Sequence, residues 1–271
     1  MAHSLSGTIV ERLITELFIP LIQNSLVAAN FVVTKTEIKA ASIKIWGVGA
    51  ITTSAYTGGR LTSNQHEDTS VEFLLDKAIS FSEDLDKLDT YQAAVELATP
   101  ILQQAAYQIA AEIDEAVFTM LTTTTSLVAP LTVDASNVKA WIGSVGTRLT
   151  NLGAPKAGRK LALRPEIVAI MSEANLTGGS NEIATQAGKE FFITRFGGFD
   201  IFESVNLADG ATTGKFAIAS VPRCGALGLS YNEADIEDIP GQPVTNIWGV
   251  TSYGTKLVKE EYVVKADDFV A

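Results

Sequence analysis

Residues 91–121, YQAAVELATPILQQAAYQIAAEIDEAVFTML, constrain the fold more than any other stretch of this 271-residue chain. Laid out at about 100° per residue, Tyr91, Val95, Ala98, Leu102, Ala105, Ile109, Ile113, Val117 and Met120 fall on one face of a helix. Gln104, Gln108, Glu112 and Glu115 form a narrow polar stripe. The remaining surface (Gln103, Tyr107, Ala110, Ala111, Asp114, Phe118) is small or aromatic apart from Gln103 and one carboxylate. A helix at the edge of a domain carries one apolar stripe and a broad polar back, so this one is expected to meet neighbours on two sides. Roughly 30 residues at about 1.5 Å rise give a length on the order of 45 Å, longer than most small domains are wide. An interior proline costs about 3 kcal/mol, so Pro100 predicts a kink, or a helix restarted with Thr99 as its cap.

The second constraint lies just upstream. In SVEFLLDKAISF (70–81), Val71, Phe73, Leu75, Ile79 and Phe81 alternate, with Lys77 interrupting, and KAASIKIWGVGAIT (39–52) is rich in Ile, Val and Trp. Both read as strands. The polar, turn-rich SAYTGGRLTSNQHEDTS (54–70) between them predicts an extended hairpin over roughly 40–82. A two-stranded ribbon is marginally stable alone and its open edges invite pairing. Unless it folds back on its own core, another chain must cover it.

Around these two features the chain reads as α+β. Residues 8–24 suggest an amphipathic helix or arm broken at Pro20, and 25–33 an extended segment. SEDLDKLD (82–89) is an acidic lead into the long helix, and TTTTSLVAPLTV (122–133) a turn-like crossing between domains. Residues 136–153 predict a helix with Ser136 as N-cap and Gly153 as terminator. KLALRPEIVAIMSEANL (160–176) predicts a short strand turning at Pro165 into a helix, followed by a loop at 177–190. Strands are expected at 196–207 and 215–230 around the loop 208–214. Residues 231–243 read as an acidic, Pro/Gly-punctuated connection, and 246–267 as closing strands.

Composition narrows the function classes. A formal net charge of −11 argues against a sequence-independent grip on nucleic acid, which needs Lys and Arg to displace phosphate counterions, and against an anionic membrane surface. No apolar run is long enough to span a membrane. The N-terminus lacks the pattern of a signal peptide, and with the sequence starting at Met1 an intracellular, soluble product without a propeptide is expected. Cys224 is the single cysteine, so neither an intrachain disulfide nor a multi-thiolate metal site can form; its apolar surroundings predict a buried, inert thiol.

Chemistry is sparse. His66-Glu67-Asp68 are adjacent on a polar tip and lack a spaced second histidine, so no metal site is expected. GAPKAGRK (153–160) has the glycine spacing of a phosphate loop, but Arg159 stands where that motif has lysine and Lys160 where it has Ser or Thr. GATTGK (210–215) is one residue short. Asp84/Asp86 and Asp235/Asp238 lie in acidic, solvated runs rather than the enclosed sites that acid–base work needs. No catalytic residue, cofactor or metal is predicted.

The order of parts, with the SAYTGG tip region, FLLDKAISFSEDLDKLDTYQA, AAYQIAAEIDEAVFTML, LALRPEIVAIM, RFGGFDIFESVNL and YGTKLVKEEYVV, resembles the major capsid proteins of tailed bacteriophages, which share the Hong Kong 97 fold. The resemblance covers about 8–265. It implies an N-terminal arm (1–35), an extended β-hairpin loop (36–84) lying across the adjacent subunit, a peripheral domain with a long spine helix (85–128), an axial domain (129–235) and closing peripheral strands (236–271). It implies pentamers and hexamers of this chain in an icosahedral shell, assembled in the bacterial host's cytoplasm, enclosing dsDNA without sequence-specific binding. A portal is a further partner, and a decoration protein an open one. With about 35 residues before the loop, a separate scaffolding protein is implied, and non-covalent assembly is expected. Candidate assembly contacts are Tyr56, Arg60, His66, Glu67 and Asp68 at the loop tip, Asp114 on the spine, and Asp209 and Thr212 in the axial loop. Asp114 matches a recurrent acidic position of the family's spine and is expected to be partly buried, paired with an Arg or with backbone N–H groups, the alternative being a carboxylate solvated on an outer face. The alternative on the same fold is an encapsulin-type nanocompartment shell. An enzyme or monomeric binding module, the reading from a different class, would run as a ~29 kDa monomer on a sizing column.

Overall fold

The computed structural model describes residues 18–37, 42–48, 68–174, 176, 192–210, 214–238 and 244–270. The long helix, α2 (Lys87–Leu121), is a single 35-residue element with Pro100 inside it, on the order of 50 Å long. It does not restart at Thr99. Pro100 is exposed, where the ring and the lost backbone bond are tolerated better than in a packed face.

Upstream, helix α1 (Ile19–Ser25) holds Pro20 in its first turn, where proline's missing N–H has no partner to lose; the rest of the arm expected over 8–24, residues 8–17, lies outside the described residues. Residues 25–33, expected to be extended, instead form a 3₁₀ turn, Ala28–Asn30. Strand β1 begins only at Val33 and runs to Glu37.

Two strands of the predicted hairpin are described, and its tip, 49–67, lies outside the described residues. β2 (Ser42–Val48) pairs with β3 (Asp68–Leu74), antiparallel and in register from Ser42↔Leu74 to Val48↔Asp68. The expected long strand over 70–81 is two strands. Leu75 and Asp76 interrupt it, and β4 (Lys77–Asp86) belongs to a different sheet. Lys77, where the alternation fails, marks that change. The acidic run that was read as leading into the helix is strand as far as Asp86.

Nearly every later element falls close to its predicted place. β5 (Leu127–Val133) replaces the predicted crossing. Next come α3 (Val138–Asn151), β6 (Lys160–Leu163), α4 (Pro165–Glu173), β7 (Phe192–Phe196) and β8 (Phe199–Glu203). They are followed by β9 (Lys215–Ser220), β10 (Gly225–Asp238), β11 (Val244–Leu257) and β12 (Val263–Val270). β10 runs through the acidic stretch predicted as a connection, because its antiparallel ladder with β11 continues to Asp238↔Thr245. The cap of α3 is Asn137, not Ser136. Asp134 Oδ1 accepts the N–H groups of Ser136 and Asn137, and Asn137 Oδ1 accepts that of Asp134. Gly153, at φ +81°, follows its C-terminus. The predicted loop 177–190 lies outside the described residues.

Among the described residues three sheets result: β1-β10-β11-β4, β5-β12-β9-β6-β8-β7, and the separate pair β2-β3. Alternation assigns their faces. In the six-stranded sheet, Ala162, Phe202, Ile218 and Val263 join a core shared with α1, α2 and the four-stranded sheet. Leu161, Leu163, Ile201, Ala219 and Val264 face the opposite way, onto α3 and α4. A third, small cluster of Ile43, Phe73 and Ala226 ties the root of the hairpin to β10.

Candidate functional site

The face of α2 that carries Asp114 is the first candidate. Of its main stripe, Leu102, Ile109, Ile113 and Val117 are in the core and Ala105 and Met120 are half-buried, while the side chains of Tyr91, Val95 and Ala98 lie outside the described residues. The second face is divided. Ala106, Ala110, Asp114 and Phe118 are buried, whereas Tyr107 is 53% exposed.

The segment from Phe18 to Val32 covers the buried part. Phe18, Ile22, Leu26, Val27, Ala28, Phe31 and Val32 all enter the main core. Phe31 stacks edge-on to Phe118 and to Phe202, at 5.6 and 5.5 Å between ring centres, a favoured aromatic geometry. Its carbonyl accepts the Cys224 thiol at 3.3 Å. Burial pushes that thiol up to about 11, so Cys224 is the inert group the sequence predicts.

Asp114 is 1% exposed. Its Oδ2 accepts the Val27 N–H at 3.1 Å and its Oδ1 the Ala28 N–H at 2.9 Å. Of the two kinds of partner expected, backbone donors are the ones present. They lie at the start of the 3₁₀ turn, whose first N–H groups lack partners within the turn. Burial pushes the carboxyl up to about 7, the two N–H bonds pulling the other way. The site therefore holds a buried carboxyl of raised proton affinity.

Beside the covered part, the open part of the same face forms a groove of about 600 Å³ between α2, the 3₁₀ turn and the end of β8. Tyr107, Ala110, Ala111, Ile193 and Val205 give it an apolar wall. Among the described residues lining it, only Asp114 and Glu203 are charged.

Asp209, on the predicted axial loop, is exposed and bridges antiparallel to Lys215. Gly210 N–H donates to Gly214 O at 2.7 Å, and Phe216 N–H to Ala208 O at 2.9 Å, closing the loop's base. Lys215 Nζ donates to the carbonyls of Val205 and Leu207. Asp209 and Asp114 are thus on different elements and do not form one site. Tyr56, Arg60, His66, Glu67 and Thr212 lie outside the described residues. Asp68 pairs with Val48 at the far end of the described hairpin.

One residue of the rejected phosphate-loop match has a different task. Arg159 is 6% exposed and donates to the carbonyls of Pro155, Gly146 and Ala154 and to Thr150 Oγ1, at 2.8–3.1 Å. It closes the C-terminal end of α3, where a cation suits the helix dipole. No group of His, Cys, Asp and Glu that could hold a metal occurs among the described residues.

No protein-family model matches the sequence, and no curated protein does. Solved structures do match over almost the whole chain. A structure from Mycobacterium phage Che8 is 23% identical with a TM-score of 0.64, covering 90% of each chain. The capsid structure of cyanophage P-SCSP1u is 12% identical with a TM-score of 0.62, covering 88% of this chain and 86% of its own. A virus-like particle from Pyrococcus furiosus is 10% identical with a TM-score of 0.58, covering 96% and 99%. Over about nine-tenths of its length, the chain has the fold of tailed-phage capsid subunits.

Proposed function

We propose that this chain is the major capsid protein of a tailed phage, closing into an icosahedral shell of pentamers and hexamers around dsDNA. The observation that carries this is the hairpin β2-β3. It is a two-stranded sheet paired with nothing else among the described residues, on a chain that follows capsid subunits over about nine-tenths of its length. Such a ribbon gains its stability by lying on a neighbouring copy. In this reading residues 1–35 are the N-terminal arm, 36–84 the extended loop, 85–128 and 236–271 the peripheral domain and 129–235 the axial domain. The hairpin tip, Asp209 and Thr212 are assembly contacts, whereas Asp114, expected among them, is buried and spent on the chain's own Val27 and Ala28 N–H groups, so it ties the arm to the spine instead. A separate scaffolding protein directs closure and a portal occupies one vertex. The net charge of −11 keeps the shell from gripping the DNA it holds.

The near-complete mutual coverage with the P. furiosus particle favours a second reading, an encapsulin-type compartment. Electron microscopy of the purified chain, expressed with and without its candidate scaffold, separates the two. Closed shells that need the scaffold support the phage reading, and uniform closed shells from the chain alone support the compartment. A monodisperse ~29 kDa monomer under both conditions would sink both.

A further inference from the structure

The hairpin leaves the body of the molecule at one rung of the four-stranded sheet. Gly228 of β10 and Gly254 of β11 are cross-strand partners there. Their neighbours Leu227, Leu229 and Tyr253 point into the main core, so by alternation both glycines present the opposite face. The hairpin root lies on that face. A methyl group added at Gly228 would stand 2.7 Å from both Ile43 Cδ1 and Leu75 Cδ2, and 3.1 Å from Phe73 Cε2. One added at Gly254 would overlap the Leu74 carbonyl oxygen, with the Leu75 Cα 3.2 Å away. Leu75 and Asp76 are the residues that interrupt the strand between β3 and β4. The chain therefore changes sheets directly over Gly254, at a distance only a glycine permits.

We propose that the Gly228–Gly254 rung is a positioning element that sets the angle at which the hairpin leaves the body, and through it the curvature with which neighbouring copies join. The part concerning curvature rests on the shell reading above. The lever is long. From Ser42 to Val48 the hairpin extends about 20 Å at some 3.4 Å per residue. Raising its root by about 1 Å at one end of a two-residue footprint displaces Val48 by roughly 3 Å.

The two glycines differ in what they press against, so their variants form a graded series. Gly254→Ala meets backbone, which cannot step aside. Gly228→Ala meets the ends of two flexible side chains, and Ile43→Val with Leu75→Val removes the atoms it strikes. Spin labels on cysteines introduced at Asp68 and at the exposed Ser144 of α3 report the angle in the unassembled subunit; the buried Cys224 thiol does not compete for them. The expected result is a change of about 3 Å or more in the label distance for Gly254→Ala, a smaller one for Gly228→Ala, and its reversal in the triple variant. Particles of Gly254→Ala should be open or of altered diameter by electron microscopy. If Gly254→Ala does not fold, Gly228→Ala and its reversal decide the matter alone. Unchanged label distances in every folded variant overturn the proposal, and so do altered distances with wild-type particle diameters. Failure of the wild-type chain to form particles even with its candidate scaffold would overturn the shell reading instead, and leaves the distances measurable.

Discussion

The segment Phe18–Val32 and the hairpin β2-β3 are both appendages by sequence, each lying outside the α3–α4 half of the molecule, but they are held in opposite ways. The first inserts seven apolar side chains into the main core and ends its approach on a buried carboxylate. The second contributes Ile43 and Phe73 to a cluster whose third buried member is Ala226. Its strand also carries Leu74 at 67% exposure. Buried apolar area is worth about 25 cal/mol per Å², so the first segment is part of the folding unit. The described part of the hairpin adds few side chains to the core, and on the proposed shell reading a neighbouring copy completes its stability.

The largest expected effect falls on the first segment. Phe31→Ala empties a fully buried site between Phe118 and Phe202 and should cost about 3–5 kcal/mol. Urea unfolding of the isolated subunit would show it as a global loss. A loss below ~1 kcal/mol would mean that the segment is not part of the folding unit, and the contrast with the hairpin would fail.

Asp114 sharpens the same side. Its carboxyl sits at about 7 when folded, against its ordinary 3.8, so the folded chain binds this proton more tightly than the unfolded chain. Its contribution to stability is then complete below about pH 4 and is lost as the pH rises through about 7. The other titratable groups on the wall it faces are Tyr107 of α2 and Glu203 of β8; Phe18–Val32 carries none. Asp114→Asn turns an amide nitrogen toward one N–H donor, a loss of about 1–3 kcal/mol, and removes the pH dependence. Urea midpoints from pH 4 to pH 8 should fall for the wild type and stay flat for the variant. An equal slope in both would assign the titration to another group.

On the hairpin side, Phe73→Ala removes the largest side chain of the small cluster. Because the root can release without unfolding the body, the expected cost is roughly 1–2 kcal/mol, expressed locally. Hydrogen exchange should accelerate at the amides of Ser42–Val48 while those of α2 between Leu102 and Leu121 stay protected. Acceleration in both would make the hairpin and the core one cooperative unit.

How far the sequence foretold these features follows from the range of the forces behind them. The long helix, its buried stripe and its exposed Gln104, Gln108, Glu112 and Glu115 were legible because a 3.6-residue period needs no partner to be read. So were α4 at Pro165 and the stop after α3 at Gly153, since proline and glycine act on their own backbone. The partners of Asp114 were not legible by residue. Val27 and Ala28 donate through backbone, which leaves no side-chain signature, and they lie 87 and 86 positions away. Arg159 looked like a failed phosphate loop because capping acceptors are carbonyls, which every residue has. The strand through 231–238 was missed because acidic residues read as solvated loop, while the ladder that holds them comes from β11. The glycine seat did leave a trace. Ala226, Gly228 and Ser230 alternate with Leu227 and Leu229, and Ser252 and Gly254 flank Tyr253. A strand with one large and one small face is closely approached on the small one, and that reading was available.

The smallest effect on folding is expected at Leu74, and it tests the contrast most directly. A side chain 67% exposed has little packing to lose, so Leu74→Ser should move the subunit's urea midpoint by no more than about 0.5 kcal/mol. In a free subunit this apolar group sits beside a strand edge unpaired among the described residues, which is a liability. In a shell it becomes contact area, where an aliphatic side chain fully covered by a neighbour is worth about 1.5–3 kcal/mol. Each subunit repeats that contact, so a modest loss per contact raises the concentration at which particles form by roughly tenfold for each 1.4 kcal/mol. A titration of particle yield against subunit concentration, followed by light scattering, reads this separately from folding. If Leu74→Ser leaves the threshold unchanged, the outer face of the hairpin root meets no neighbour. The burden of joining would then rest on the part of the loop beyond Val48 and Asp68.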